Sequence, residues 1–147
     1  MLIDKAAIAK MIPHAGPMCL LDGVLHWDAQ TIRCMSRNRR AATHPLRVDG
    51  RLPALAGIEY AAQAMAVHGG LSAGAQSKPR AGYLASVRDV ICRRARLDDL
   101  DGDLLVDATR ILGDESRVIY EFRVRVGAVD VLSGRATAIL RIEAPAA

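Results

Sequence analysis

At 147 residues the chain has the length of one domain, and with 51% hydrophobic and 24% charged residues it has the apolar content for one core, which excludes general disorder. The net charge is +4 and all but three of the 20 basic residues are arginine, which favours an acidic partner; with five aromatic residues (Trp27, Tyr60, Tyr83, Tyr120, Phe122) there is little to stack bases on, so nucleic acid is not the expected one. No apolar run reaches the ~20 residues of a membrane span, the N-terminus lacks a continuous secretory core, and three scattered cysteines (Cys19, Cys34, Cys92) without a CxxC pair fit a reducing cytoplasm rather than a disulfide framework or structural zinc.

In chain order, Asp4 is placed to cap a short helix over Lys5–Met11 that Pro13 would end. Met18–Trp27 reads as a strand and Thr31–Ser36 as its hairpin partner, after a turn at Asp28-Ala29-Gln30. Residues 37–53 (RNRRAATHPLRVDGRLP) are polar, basic and interrupted by Pro45, Gly50 and Pro53, a long loop of the kind that often carries function. Ala54–His68 is alanine-rich and free of proline, with Pro53 in front and Gly69-Gly70 as the stop; a helix apolar nearly all round is a buried one. Beyond a turn at Lys78-Pro79-Arg80, strands are expected at Tyr83–Arg94, Asp103–Leu112, Arg117–Gly127 and Val129–Glu143. The alternation is sharpest where Val118, Tyr120, Phe122, Val124 and Val126 face one way and Glu121, Arg123 and Arg125 the other. The expected architecture is α+β: one domain, residues 1–147, with a hairpin, a buried helix and an antiparallel meander curving round it.

The most informative residue is Glu59, a carboxylate in the early turns of that dry helix, where a charge is costly unless paired or protonated. Gln63, four residues on, shares its face. Of four histidines, His44 in the long loop, 15 residues before Glu59, is the candidate proton-transfer partner; His14 reads as a turn residue, His26 as a strand-surface residue and His68 as a helix-end residue on the opposite face. The helix N-terminus offers the Ala54 and Leu55 amides to a developing oxyanion. Base, acid and amide electrophile together suit proton removal beside a carbonyl. A buried Glu–Gln contact that only fixes packing, and a solvated loop histidine, are the plain alternatives.

Three segments carry a family resemblance. IPHAGPMCLLDGVLHWD (12–28), LPALAGIEYAAQAMAVHGGL (52–71) and AGYLASVRDVICRRARLDDLDGDLL (81–105) resemble, respectively, the opening signature, the central-helix pattern and the paired-arginine strand of the hotdog-fold 3-hydroxyacyl-acyl-carrier-protein dehydratases. The similarity is closest to the branch found in aryl-polyene and polyketide-type lipid clusters. It implies a curved sheet wrapped around one central helix, and dehydration of a 3-hydroxyacyl thioester to its trans-2-enoyl form. It implies no tightly bound cofactor, the substrate arriving on the phosphopantetheine arm of an acyl carrier protein. The chain is expected to work as a homodimer, or as a heterodimer with a related hotdog subunit.

Carried onto this sequence, the resemblance makes Glu59 the acid, oriented by Gln63, His44 the base and the Ala54 amide the carbonyl donor. It places Arg93, Arg94 and Arg96 toward the carrier protein, with Arg37, Arg39 and Arg40 as a second basic cluster. Thr43-His44-Pro45 stands where the family has Gly-His-Phe-Pro, and Ala54 where it has glycine. An acyl-thioester hydrolase on the same fold and a non-catalytic carrier-binding subunit are the rival readings. No metal site is expected.

Overall fold

A helix whose surface is apolar on most sides must be covered on most sides, and the chain covers it with one curved sheet. In the computed structural model, residues 1–12, 16–73, 82–114 and 116–140 are described; His14, the Lys78-Pro79-Arg80 turn and the tail lie outside them. The elements are β1 (Ile3–Asp4), α1 (Lys5–Ala9), β2 (Gly23–Trp27), β3 (Thr31–Ser36), α2 (Gly57–Ala73), β4 (Gly82–Cys92), β5 (Leu104–Gly113), β6 (Arg117–Val126) and β7 (Val129–Leu140), with single 3₁₀ turns at Gly16–Met18 and Ala54–Ala56. Asp4 caps α1 as expected, its side chain accepting the Ala7 amide at 2.9 Å. The Asp28 carboxylate likewise accepts the Gln30 and Thr31 amides in the β2–β3 turn.

The seven strands form one antiparallel sheet in the order β1-β2-β3-β5-β6-β7-β4. This corrects the simple meander. β5, β6 and β7 do follow one another, but β4 pairs with β7 at the far edge, and β5 pairs with β3 in the middle. Alternation tells which face a residue takes and is silent on which strand lies beside it.

Two boundaries also move. The expected strand from Met18 begins only at Gly23, because the backbone before it serves the site: Leu20 bonds side chains from α2 and β3 instead of a neighbouring strand. The helix runs through Gly69 and Gly70 to Ala73. Each interior glycine costs about 1 kcal/mol, yet a side chain at Gly70 would come within 3.5 Å of Met11, so packing against the N-terminal segment holds the last turn.

Small residues set how closely helix and sheet approach. At Gly57 a Cβ would stand 2.3 Å from a methyl of Leu132 on β7, so only glycine fits without displacing a core side chain. Tyr60, Ala61, Ala64, Met65 and Val67 of α2 are buried against Val106, Ala108, Tyr120, Phe122 and Val124 of the sheet. The alternation on β6 holds along its length, with Val118 through Val126 inward and Arg117, Glu121 and Arg123 exposed. His68 is fully buried near the end of α2, where Nδ1 accepts from the Tyr120 hydroxyl at 2.6 Å and Nε2 donates to the Asp28 carbonyl at 2.8 Å. It pins the helix to β6 and to the first hairpin.

Candidate active site

The groups the sequence singles out gather around the entry to α2 in two sets. The first is built on Gln63, which is fully buried. Its carbonyl oxygen accepts the Leu20 amide at 2.9 Å, which fixes the amide orientation, so its nitrogen donates to the Met18 carbonyl at 2.7 Å and to Glu59 Oε1 at 3.3 Å. Glu59, half-buried in the first turn of α2, therefore presents its carboxylate from a side chain steadied on one oxygen.

The second set is built on His44, buried in the long loop. Its Nε2 lies 2.8 Å from the Tyr60 hydroxyl, and its Nδ1 accepts the Leu46 amide at 3.1 Å. Burial, with the Arg47 guanidinium adding to it, holds this imidazole below its ordinary 6.5, so it is neutral at pH 7. Burial pushes the Tyr60 phenol up to about 12, with the Ser36 hydroxyl opposing part of the rise, and Ser36 Oγ donates to the Leu20 carbonyl at 2.9 Å. One residue thus ties α2 to β3: the Leu20 amide fixes Gln63, and the Leu20 carbonyl accepts from Ser36. Sequence reasoning passed over Tyr60 and Ser36. The available signal was a phenol in an alanine-rich buried helix, whose hydroxyl needs a partner.

A cavity of about 230 Å³ opens beside this second set, lined by His44, Tyr60, Asn38, Lys5, Cys19 and Leu20 among others. Lys5 closes its rim, bonding the Cys19 carbonyl at 2.7 Å and Asp22 at 3.2 Å.

The Ala54 amide requires a correction. It donates to the Ala95 carbonyl at 2.9 Å, beside a bridge between Pro53 and Arg96, so it is already spent on the fold. The β4–β5 connection runs along the helix start and consumes the first donor of the turn.

The arginines divide in the same way. Arg39 is 1% exposed and donates to the carbonyls of Leu97, Leu100 and Gly102, which makes it an internal clamp on the β4–β5 connection and not part of a basic docking surface. Arg40 pairs with Asp101, and Arg37 with Asp103. Arg96 grips buried Asp98 through two bonds of 2.8 and 3.0 Å, and Arg47 reaches the same carboxylate at 3.1 Å while holding the Ala41 and Gly50 carbonyls. The Asp98 carboxyl is held down to about 2, first by Arg96. Arg94 pairs with Asp99 at 3.4 Å, and Arg93 is exposed just past β4. The acidic turn at 98–103 therefore pairs with arginines of the two neighbouring segments. Among the described residues no group of acidic, histidine or cysteine side chains is arranged to hold a metal ion, and no helix is long and apolar enough to cross a membrane.

A seven-stranded antiparallel sheet folded around one long helix is the hotdog architecture. The chain belongs to the ApeP-like dehydratase family, whose model, described as ApeP dehydratase, matches residues 6–144. Among solved structures it is similar to the dehydratase heterocomplex ApeI:P from Xenorhabdus doucetiae, with a TM-score of 0.79, 25% identity and coverage of 92% of this chain and 91% of that one. A thioesterase from Haemophilus influenzae shares the fold at TM-score 0.59 and 12% identity, over 81% of this chain and 77% of that one. A thioesterase from Pseudomonas aeruginosa does so at 0.60 and 12%, over 82% and 80%. No curated protein matches the sequence.

Proposed function

We propose that this chain dehydrates a 3-hydroxyacyl thioester, carried on the phosphopantetheine arm of an acyl carrier protein, to the trans-2-enoyl thioester. It does so in the cytoplasm and as one subunit of a hotdog dimer, with a related chain or a second copy of itself. The observation that carries this reading is Glu59, presented in the first turn of α2 and steadied by a glutamine with no freedom to turn. Losing water across C2 and C3 needs a group that takes a proton from C2, a group that gives one to the departing hydroxyl, and donors for the thioester oxygen as it gains charge. We assign delivery of the proton to the hydroxyl to Glu59, with Gln63 as its positioning residue. The Leu55 amide, next after the engaged Ala54, is the backbone donor at the helix start.

Family membership and the ApeI:P heterocomplex support both the reaction class and pairing with a related subunit. Of the arginines assigned to the carrier, Arg94 and Arg96 hold Asp99 and Asp98, while Arg93 is exposed and pairs with no carboxylate among the described residues.

The test is a 3-hydroxyacyl carrier-protein substrate incubated with the purified chain, alone and with its related subunit, and with the Glu59→Gln variant of each. Enoyl product that falls a hundredfold or more in the variant is the expected result. Free thiol in place of enoyl product would identify a hydrolase; dehydration seen only with the related subunit and undiminished by Glu59→Gln would make the chain a non-catalytic subunit.

A further inference from the structure

Residues 37–53 run from β3 to the entry of α2 with neither a helix nor a strand of their own, and His44 sits near the middle of them. The backbone bonds inside this loop are short-range. The Ala41 amide meets the Asn38 carbonyl, the His44 amide the Ala41 carbonyl and the Arg47 amide the His44 carbonyl, and Val48 pairs with Arg51 across Asp49 and Gly50, both at positive φ. Each of these closes one turn, and none of them sets how the turns lie relative to one another. Arg47 does that for the two arms that flank His44. Its guanidinium, 15% exposed, donates from Nε to the Ala41 carbonyl at 2.7 Å, and from one terminal nitrogen to the Gly50 carbonyl at 2.7 Å and the Asp98 carboxylate at 3.1 Å. Ala41 precedes His44 and Gly50 follows it, so both arms close on one planar group.

The far end of this tether is buried Asp98 on the β4–β5 connection, where Arg96 also grips it. The same connection holds the start of α2: the Leu97 amide donates to the Leu52 carbonyl and the Ala54 amide to the Ala95 carbonyl, both at 2.9 Å. The His44 loop and the helix entry therefore hang on one strip of backbone, and the 2.8 Å contact between His44 Nε2 and the Tyr60 hydroxyl of α2 is made across it. We propose that Arg47, braced by Asp98, is a positioning residue of this site, setting where the His44 imidazole stands on the wall of the cavity beside α2. This rests on the dehydration reading above, with His44 in the role the resemblance gives it. Ala41 lines the same cavity as His44, so a shift of the carbonyl that Arg47 holds moves the wall together with the ring.

Lysine separates the tether from the charge. An ammonium donates from a single atom on a flexible stem, so it cannot span acceptors that a rigid fork reaches from two nitrogens. It does keep the positive charge that, with burial, holds the His44 imidazole below its ordinary value. Arg47→Lys therefore loosens the loop and leaves the local electrostatics in place. Arg125 supplies the control: it is 13% exposed, holds the Asp107 carboxylate at 2.9 Å and the Gly127 carbonyl at 2.7 Å, and neither partner belongs to the loop. If Arg47 acts only through the stability of the fold, Arg125→Lys carries a comparable burden.

Two measurements test this. In the dehydration assay with the related subunit present, Arg47→Lys is expected to lower kcat about tenfold with KM within about twofold of the parent, because a small misplacement of a reacting group is costly in rate. Arg125→Lys is expected to leave both constants within about twofold of the parent. Equal losses in the two variants, or an Arg47→Lys kcat like that of the parent, would overturn the proposal. Nitrogen-15 NMR of the full chain labelled in histidine reads the setting of the ring without substrate, with the His44 signals identified by their absence in His44→Gln. This readout stands even if the dehydration reading fails. Arg47→Lys is expected to displace or broaden the His44 ring signals and to leave those of His68 in place, and Arg125→Lys to leave both. His44 signals unchanged in Arg47→Lys would overturn the proposal whatever the activity does. Asp98→Asn, which loosens the brace alone, is expected to displace the same signals and lower kcat about threefold. It decides the matter if Arg47→Lys does not fold, unchanged His44 signals again being the overturning result.

Discussion

Asp98 is the junction between the loop that bears His44 and the connection that crosses the sheet, and its replacement by asparagine should be costly in a pH-dependent way. The carboxylate is 3% exposed and accepts three charge-assisted bonds, two from Arg96 and one from Arg47. Holding its carboxyl at about 2, against an ordinary 3.8, corresponds to about 2 kcal/mol of folded-state stability at neutral pH. Breaking a buried ion pair outright costs ~3–5 kcal/mol, but Arg47 keeps the Ala41 and Gly50 carbonyls, so the smaller figure governs. Because the folded-state value is the depressed one, the contribution is complete above the unfolded value near 3.8 and is lost as pH falls toward 2. Urea denaturation of the parent and Asp98→Asn, run from pH 7 down to pH 2, checks this. The expected deficit is about 2 kcal/mol at pH 7, shrinking steadily below pH 4. Equal stability at pH 7, or a deficit that does not change between pH 5 and pH 2, would refute the reasoning.

Two further outcomes follow from buried polar groups. Arg39→Met should destabilise the fold by about 3 kcal/mol in the same urea assay, because one buried and two part-buried carbonyls lose a shared donor, and it should leave carrier binding by the folded fraction unchanged. His68 is held below its ordinary 6.5, chiefly by burial, so the unfolded chain binds its proton first and stability declines as pH drops from 7 toward 5. In His68→Gln that decline should be smaller, as thermal melts at pH 7 and pH 5 would show.

Sequence reading served best where structure is local. The Asp4 cap, the Asp28 turn, the bounds of β3 and the alternation on β6 all depend on residues within a few positions of one another. Glu59 and Gln63 were legible for the same reason, being one turn apart on a helix recognisable by composition. The failures all involve contacts between distant segments. Arg39 sits in the run Arg37-Asn38-Arg39-Arg40, which reads as solvated charge, and it is buried by three carbonyls some sixty residues downstream. The Ala54 amide looks free from the helix pattern, and it is taken by a segment forty residues on. The helix outruns two glycines because Met11 packs on its end. Much of the arginine excess that suggests an acidic partner is likewise matched inside the chain, by Asp98, Asp99, Asp101, Asp103 and Asp107.

The central helix precedes most of the sheet that covers it: β4, β5, β6 and β7 all follow it in the chain. A ribosome delivers the N-terminal part first, so α2 emerges with its apolar flanks bare and waits for some seventy further residues before native burial is complete. The β3–β5 seam closes at the same late stage, since Arg33 and Asp107 are 74 positions apart. The nascent polypeptide is therefore at its stickiest midway through translation, when a chaperone or an already folded sister subunit has the most surface to shield.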